Sequence, residues 1–313
     1  MGVHVSDDPA GLGWVITRAE ALASGVSPAQ IRLRVESGRW TSWRPGTYVR
    51  SWALPPIDDR FERERRDHVL KAVSVALLAS SATISFTSAA LVHDLPLVSG
   101  VPSETHLAVP SESWAGHRRG VHSHRLELPA MDREVSDKWN VAVTTASRTW
   151  GDIARTASLA DALSVGDRAL REGAVTREQL RSVLERTEHL RGRVRAVEAF
   201  TLLDGRRETA LESLSFARFI EWGIPVPVMQ HEFWDDEGFV GRVDFWWPEF
   251  GLVGEADGRV KYAGSPDAMW LEKRRELRLQ RLGLRVVRWV WIDVAYPSSP
   301  FRAALARCFT RAA

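Results

Sequence analysis

Val243-Asp244-Phe245-Trp246-Trp247 and Gly254-Glu255-Ala256-Asp257-Gly258 place carboxylates inside an apolar frame, where ionised groups are costly unless a cation or hydrogen bonds compensate them. Strand side chains alternate faces, so Glu255 and Asp257 are expected on one side, with Gly254 and Ala256 on the other. Two adjacent strands would bring Asp244, Glu255 and Asp257 to one point. Hard oxygen ligands suit a Mg²⁺ that keeps several waters, an arrangement used to hydrolyse phosphodiesters. Glu212, near the start of the preceding helix, is a fourth candidate, and a solvated helix acid is the competing reading. The other alternative for the acids is a structural network with the arginines of Glu272-Lys273-Arg274-Arg275-Glu276-Leu277-Arg278.

The elements that must position these acids are legible after about Thr209. Leu211, Leu214, Ala217, Arg218, Phe219 and Trp222 have helical spacing and stop at Gly223. A strand at 228–233, the turn Asp235-Asp236-Glu237-Gly238 and the two acid-bearing strands read as a meander. A basic helix over 270–282 ends at Gly283, and 286–292 reads as a buried strand reached by a helical crossover, hence with a parallel pairing. Seven of the fourteen tryptophans follow Thr201, and Trp246, Trp247, Trp289 and Trp291 are expected mostly in the core.

The front of the chain is punctuated as clearly. Thr17 with Glu20, and Ser27-Pro28-Ala29-Gln30, are two capping signals, predicting short helices joined at Gly25 and ending at Gly38. Trp40, Trp43 and Arg44-Pro45-Gly46-Thr47-Tyr48-Val49 read as a hairpin. The sum is a helix-turn-helix with a wing, and Arg18, Arg32, Arg34, Arg39 and Arg44 are its expected phosphate contacts. A small helical capping domain is the alternative. Leu54-Pro55-Pro56 breaks the chain before an α+β middle region. There a helix is expected over 61–78, strands at 105–109, around 121 and at 141–143, and helices over 146–170, 176–184 and 193–203. His117, His122 and His124, with Arg118, Arg119 and Arg125, could hold a metal or touch phosphate, but without a nearby carboxylate or cysteine in the sequence an exposed polar strand is the better reading.

Length and composition bound the whole. At 313 residues, 44% apolar and 26% charged, the chain is expected to be multidomain: 1–55, 56–200 and 201–313. No run of eighteen apolar residues is present, and Met1 to Pro9 has no apolar signal region, so a cytoplasmic protein without membrane association is expected. One cysteine, Cys308, excludes an internal disulfide and a cysteine-built zinc site. Net charge is +2, with arginine supplying nearly all the cationic charge.

Two resemblances follow. From about Thr209 to Ala306 the chain resembles the PD-(D/E)XK nuclease fold, specifically very-short-patch-repair-like endonuclease domains. The matching words are Arg242-Val243-Asp244-Phe245 with Trp247-Pro248, Gly254-Glu255-Ala256-Asp257-Gly258, and Glu272-Lys273-Arg274-Arg275 leading to Leu282-Gly283 and Val286-Val287-Arg288-Trp289. The likeness implies a restriction-endonuclease-like mixed sheet flanked by helices, Mg²⁺ on Asp244 and Glu255, and Glu212 assisting. It departs from the family where Asp257 stands in place of a lysine. Asp257 would then be a further metal ligand, with Lys261 or an arginine of the basic helix supplying positive charge, and Arg274, Arg275 and Arg278 touching DNA phosphates.

Trp14-Val15-Ile16-Thr17-Arg18-Ala19-Glu20-Ala21-Leu22, Ile31-Arg32 and Gly38-Arg39-Trp40 to Tyr48 are similar to the winged helix of AbiEi-type antitoxins of type IV toxin-antitoxin systems. Ser88 to Leu97 and Thr144 to Thr149 are similar to the region that follows it there. That resemblance implies promoter DNA as a partner, with a cognate toxin protein. Two functions compete: a Mg²⁺-dependent DNA endonuclease, and an antitoxin-like repressor whose nuclease-like domain is noncatalytic.

Overall fold

The computed structural model describes residues 13–79, 81–258 and 266–309 of a mixed α+β chain, which divides into two compact units, 1–153 and 154–313. The expected division near residue 55 falls inside the first unit and that near 200 inside the second.

In the first unit, β1 (Val15–Thr17), α1 (Arg18–Ala23), α2 (Pro28–Glu36), β2 (Trp40–Arg44) and β3 (Thr47–Arg50) form a helix pair on an antiparallel sheet of order β1-β3-β2. Both capping boxes form as the sequence indicates, Thr17 with Glu20 and Ser27 with Gln30. Ile16, Ala21, Val26, Ile31 and Trp40 make the core of this part. The next helix, α3 (Arg60–Leu78), packs on all three strands and also on β4 (Thr83–Ile84) and β5 (Thr105–Val109).

A second sheet follows. With α4 (Phe86–Val92), β6 (Gly116–Arg118), β7 (Val121–Arg125), β8 (Arg133–Val135) and β9 (Ala142–Thr144), it has the order β6-β7-β5-β4-β9-β8. Then α5 (Ala146–Thr156) carries Arg148 into a fully buried pairing with Asp132 and Asp152. The helix expected over 146–170 is two helices. Ser158 caps α6 (Leu159–Arg171) by accepting from the Asp161 amide, and that capping geometry requires non-helical backbone at Ser158.

In the second unit, α6, α7 (Arg177–Arg186) and α8 (Arg193–Leu202) pack together, and α6 lies along α9 (Ala210–Trp222). The buried pair Arg207–Asp167, at 2.6 Å, ties that helical layer to the start of α9. Beyond it, β10 (Val228–Asp235), β11 (Gly238–Trp247), β12 (Leu252–Ala256) and β13 (Arg285–Trp289) form a sheet in sequence order. Its first two pairings are antiparallel, and β12 with β13 is parallel as expected. Phe219 of α9 packs edge-on against Phe245, Trp247 and Trp289, and the Trp289 indole donates to Ser215 Oγ at 2.7 Å. Leu279 of α10 (Pro266–Arg281) packs with Val240, Val243 and Val253.

The strand expected to reach Ile292 stops at Trp289. The Asp293 carboxylate accepts from the Val290 amide and starts α11 (Trp291–Val294), leaving Trp291 exposed; α12 (Phe301–Arg307) follows. Among the described residues, no helix is long and apolar enough to cross a membrane. The segment from Met1 to Pro9 lies outside the described residues.

Candidate functional site

The acids gather where the middle strands of the four-stranded sheet meet the start of α9. Phe245 is opposite Gly254, so one step further along the ladder brings Asp244 level with Glu255. Asp244 Oδ2 accepts from the Ala256 amide at 2.8 Å. Its Oδ1 is 3.5 Å from the Gln230 amide nitrogen, which donates at 2.8 Å to Glu212 Oε2. Gln230 lies between the pairs Met229–Phe245 and His231–Val243, and its φ of 54° marks a local distortion of β10 that accompanies this reach. Glu212 also accepts from the Glu208 amide and the Thr209 hydroxyl, both at 2.9 Å.

The electrostatics match the crowding. Burial raises the Glu212 carboxyl, and the Asp244 charge raises it further. Burial pushes Glu255, 2% exposed, up to about 7; Arg275 opposes the shift and Asp244 adds to it. Three oxygen-bearing groups therefore share a region in which at least two are held toward their neutral forms, a pattern that marks candidate sites.

Arginines close the other side. Arg275 donates to Glu255 Oε1 at 3.0 Å and to Glu272 at 2.7 Å. Glu272 also accepts from Arg288, which is paired with Asp257 at 3.2 Å. Hydrogen bonds from Arg275 are the main reason Glu272 is held down to about 2, with Arg288 adding to it. The three carboxylates expected at one point are divided. Asp244 and Glu255 come together with Glu212, whereas Asp257 is 2% exposed and engaged by Arg288, one strand over. Among the described residues, the groups of three or more His, Cys, Asp or Glu that bring one ligand atom each within 4.8 Å of one another do not include these acids. Lys261 lies outside the described residues.

The expected phosphate contacts divide in the same way. Arg18 and Arg32 are exposed, and Arg39 and Arg44 half-buried, with Arg44 donating to the Arg119 carbonyl at 3.0 Å. Arg34 departs from the expectation: it is 8% exposed, stacks over Trp40 at 5.3 Å and donates to the Gln30 carbonyl. The reason is that α2 packs its flank as well as its Ile31–Val35 stripe onto β2, so the aliphatic stem of Arg34 is drawn into the core. On α10, Arg275 is turned inward to Glu255, Arg278 is held by Asp235 and the Gly238 and Phe239 carbonyls, and Arg274 stays exposed near Glu237.

Sequence reasoning missed two groups. Gln230 had a legible signal, a polar side chain in a strand beside the acid-bearing one. The second group is a histidine face on the six-stranded sheet, where His106 and Glu104 join His117, His122 and His124. The carboxylate thought absent there is Glu104, whose Oε2 is 2.7 Å from His117 Nδ1. Parallel pairing of β5 with β7 brings it in from 13 residues away, beyond the reach of local spacing.

No family model matches the chain. It is 33% identical over 169 residues to the uncharacterized proteins MT2308 and Rv2248 from two strains of Mycobacterium tuberculosis, a match over 54% of this chain. The chain spans 62% of the length of those curated relatives. Among solved structures, the crystal structure of the RV2827C protein from Mycobacterium tuberculosis is similar at a TM-score of 0.36 and 15% identity, over 71% of this chain and 84% of that one.

Proposed function

We propose that this chain is a DNA-binding protein whose C-terminal sheet carries a Mg²⁺-dependent phosphodiester-hydrolysing site, of the PD-(D/E)XK endonuclease type. The observation that carries this reading is the crowding of Glu212, Asp244 and Glu255, in which the Asp244 charge raises both buried glutamates. A dication relieves that repulsion, and an all-oxygen donor set fits Mg²⁺, which takes few protein carboxylates and keeps its waters. Asp244 and Glu255 would hold it, and once bound it would polarise the phosphate and lower the pKa of the attacking water.

The chain's own side chains do the positioning. The Gln230 amide and the Ala256 N–H fix the Asp244 carboxylate, and Gln230 ties Glu212 to it. Arg275 lies at Glu255, where it supplies positive charge to a phosphate in place of the family's lysine. In the first unit, the element order β1-α1-α2-β2-β3 supports a winged helix-turn-helix, with Arg18 and Arg32 on DNA phosphates. The test is Mg²⁺-dependent cleavage of duplex and single-stranded DNA by wild type beside Asp244→Ala and Glu255→Ala. Equal, negligible cutting by all three defeats the nuclease reading.

One observation favours a second reading. The chain Glu255–Arg275–Glu272–Arg288–Asp257 neutralises two of the expected metal ligands internally, as suits an antitoxin-like repressor with a noncatalytic nuclease-like unit and a toxin partner. Under either reading the protein works in the cytoplasm. A footprint on the DNA upstream of its own gene, lost in the Arg18→Ala, Arg32→Ala double variant, supports repression, and a sequence-independent smear counts against it.

A further inference from the structure

The histidines of the six-stranded sheet are aligned by its register. Arg119 and Gly120, with φ of 51° and 73°, form the two-residue turn between β6 and β7 that both residues' positive φ values suit. That turn sets His117 opposite His122, while the parallel pairing of β5 with β7 sets His106 opposite His122 on the other side. Three imidazoles therefore lie abreast across three strands. Glu104, two residues before His106, belongs to the same face, whereas Arg118 and Arg125 follow His117 and His124 and alternate to the opposite one. Arg118 and Arg125, which would repel a cation, are thus turned away.

The contacts are close. His117 and His122 rings stack at 3.8 Å between centroids, and one ligand atom each from Glu104, His117 and His122 lie within 4.8 Å of one another. Behind them, the His124 ring packs tilted against His122 at 3.8 Å between centroids and shares a 2.9 Å N···N hydrogen bond with His106. His117 is exposed on the edge strand, and Glu104 and His122 are half-buried, so a cation can enter from solvent.

We propose that Glu104, His117 and His122 bind one divalent transition-metal cation of the Zn²⁺ class. Imidazole nitrogens suit Zn²⁺, Ni²⁺ and Cu²⁺ and not Mg²⁺, and the single carboxylate supplies the anionic charge that an all-histidine set lacks. Two histidines with one glutamate also leave a fourth position for water or a substrate group, as in open zinc sites. The His106–His124 pair braces the His122 ring from behind, the part that outer partners of metal ligands play. This site shares no residue with the acid cluster and is independent of the nuclease reading.

Equilibrium dialysis of the full, chelator-stripped chain against Zn²⁺ alone, and separately against Mg²⁺ alone, tests it. One Zn²⁺ is expected per chain, with Mg²⁺ not retained at this site. His117→Asn, on the exposed edge strand, and Glu104→Gln should each weaken Zn²⁺ binding by more than roughly 10-fold, the lower end of what losing even an outer partner costs. Glu255→Gln should leave it unchanged. Circular dichroism of each variant establishes that the fold is intact, and Zn²⁺ should raise the unfolding temperature of wild type but not of His117→Asn. Zn²⁺ binding that survives His117→Asn and Glu104→Gln together overturns the assignment, as does loss only on replacing His106 and His124.

Discussion

The acid cluster and the histidine face are built on opposite electrostatic plans. Around the four-stranded sheet, the buried Glu212 and Glu255 are both raised by the charge of the half-buried Asp244, and Glu255 is balanced by Arg275. In the six-stranded sheet, imidazoles cluster at a half-exposed surface with a single carboxylate among them. Burial makes the first region expensive to leave uncompensated, so the fold answers with Arg275 and Arg288; exposure removes that demand from the second. Donor type separates them again: oxygen for a hard cation, nitrogen for a borderline one.

The largest effect should come from Asp244→Ala, which removes the group linked to Gln230 and the Ala256 amide. Mg²⁺-dependent cleavage should fall by more than about 100-fold, the upper end of what an outer partner's loss costs, with Zn²⁺ retention unchanged. A parallel loss of Zn²⁺ binding would break the separation between the two regions.

Backbone comes next. A Cβ at Gly254 would lie 2.6 Å from the Trp289 ring and 3.0 Å from that of Trp247, beside Glu255. Gly254→Ala should therefore cost about 1–3 kcal/mol, read from denaturant unfolding. Gly120, in the histidine-bearing hairpin, has φ of 73° and open space around it, so Gly120→Ala should cost about 1–2 kcal/mol from conformation alone.

The two regions should also respond oppositely to pH. Glu255 is raised from 4.5 to about 7 by burial, so it binds its proton more tightly in the folded state. Its stabilisation is complete below pH 4.5 and is lost as pH rises through about 7. His106 is lowered from 6.5 to about 4, again chiefly by burial, so its contribution is present above 6.5 and is lost as pH falls through about 4. Unfolding temperature against pH should flatten on the alkaline side in Glu255→Gln and on the acid side in His106→Asn. Identical profiles in both variants would sink this contrast.

The smallest effect should come from Arg32→Ala, which removes an exposed cation. DNA binding should weaken across all sequences, and the salt dependence should lose about one unit of slope. Arg34→Ala should instead lower stability through lost packing on Trp40.

Local signals carried much of this chain. Capping at Thr17 and Ser27 and the stop at Gly223 are written over three or four residues, and the structure has them where spacing puts them. What sequence could not give was pairing across distance. The turn of Arg275 toward Glu255, the hold of Arg288 on Asp257 and the arrival of Glu104 beside His117 each depend on which strands and helices become neighbours. Arg34 failed for a related reason: charge marked it as exposed, while its long stem found an aromatic ring.

The most direct test of the central claim is single-turnover cleavage of an end-labelled DNA duplex across a Mg²⁺ titration, with wild type and Glu255→Gln run in parallel. Cutting should rise with Mg²⁺ and saturate in wild type and be lost in Glu255→Gln, a nearly isosteric change that removes the charge. Cutting that is absent from wild type at every Mg²⁺ concentration, or equal in the two proteins, would contradict it.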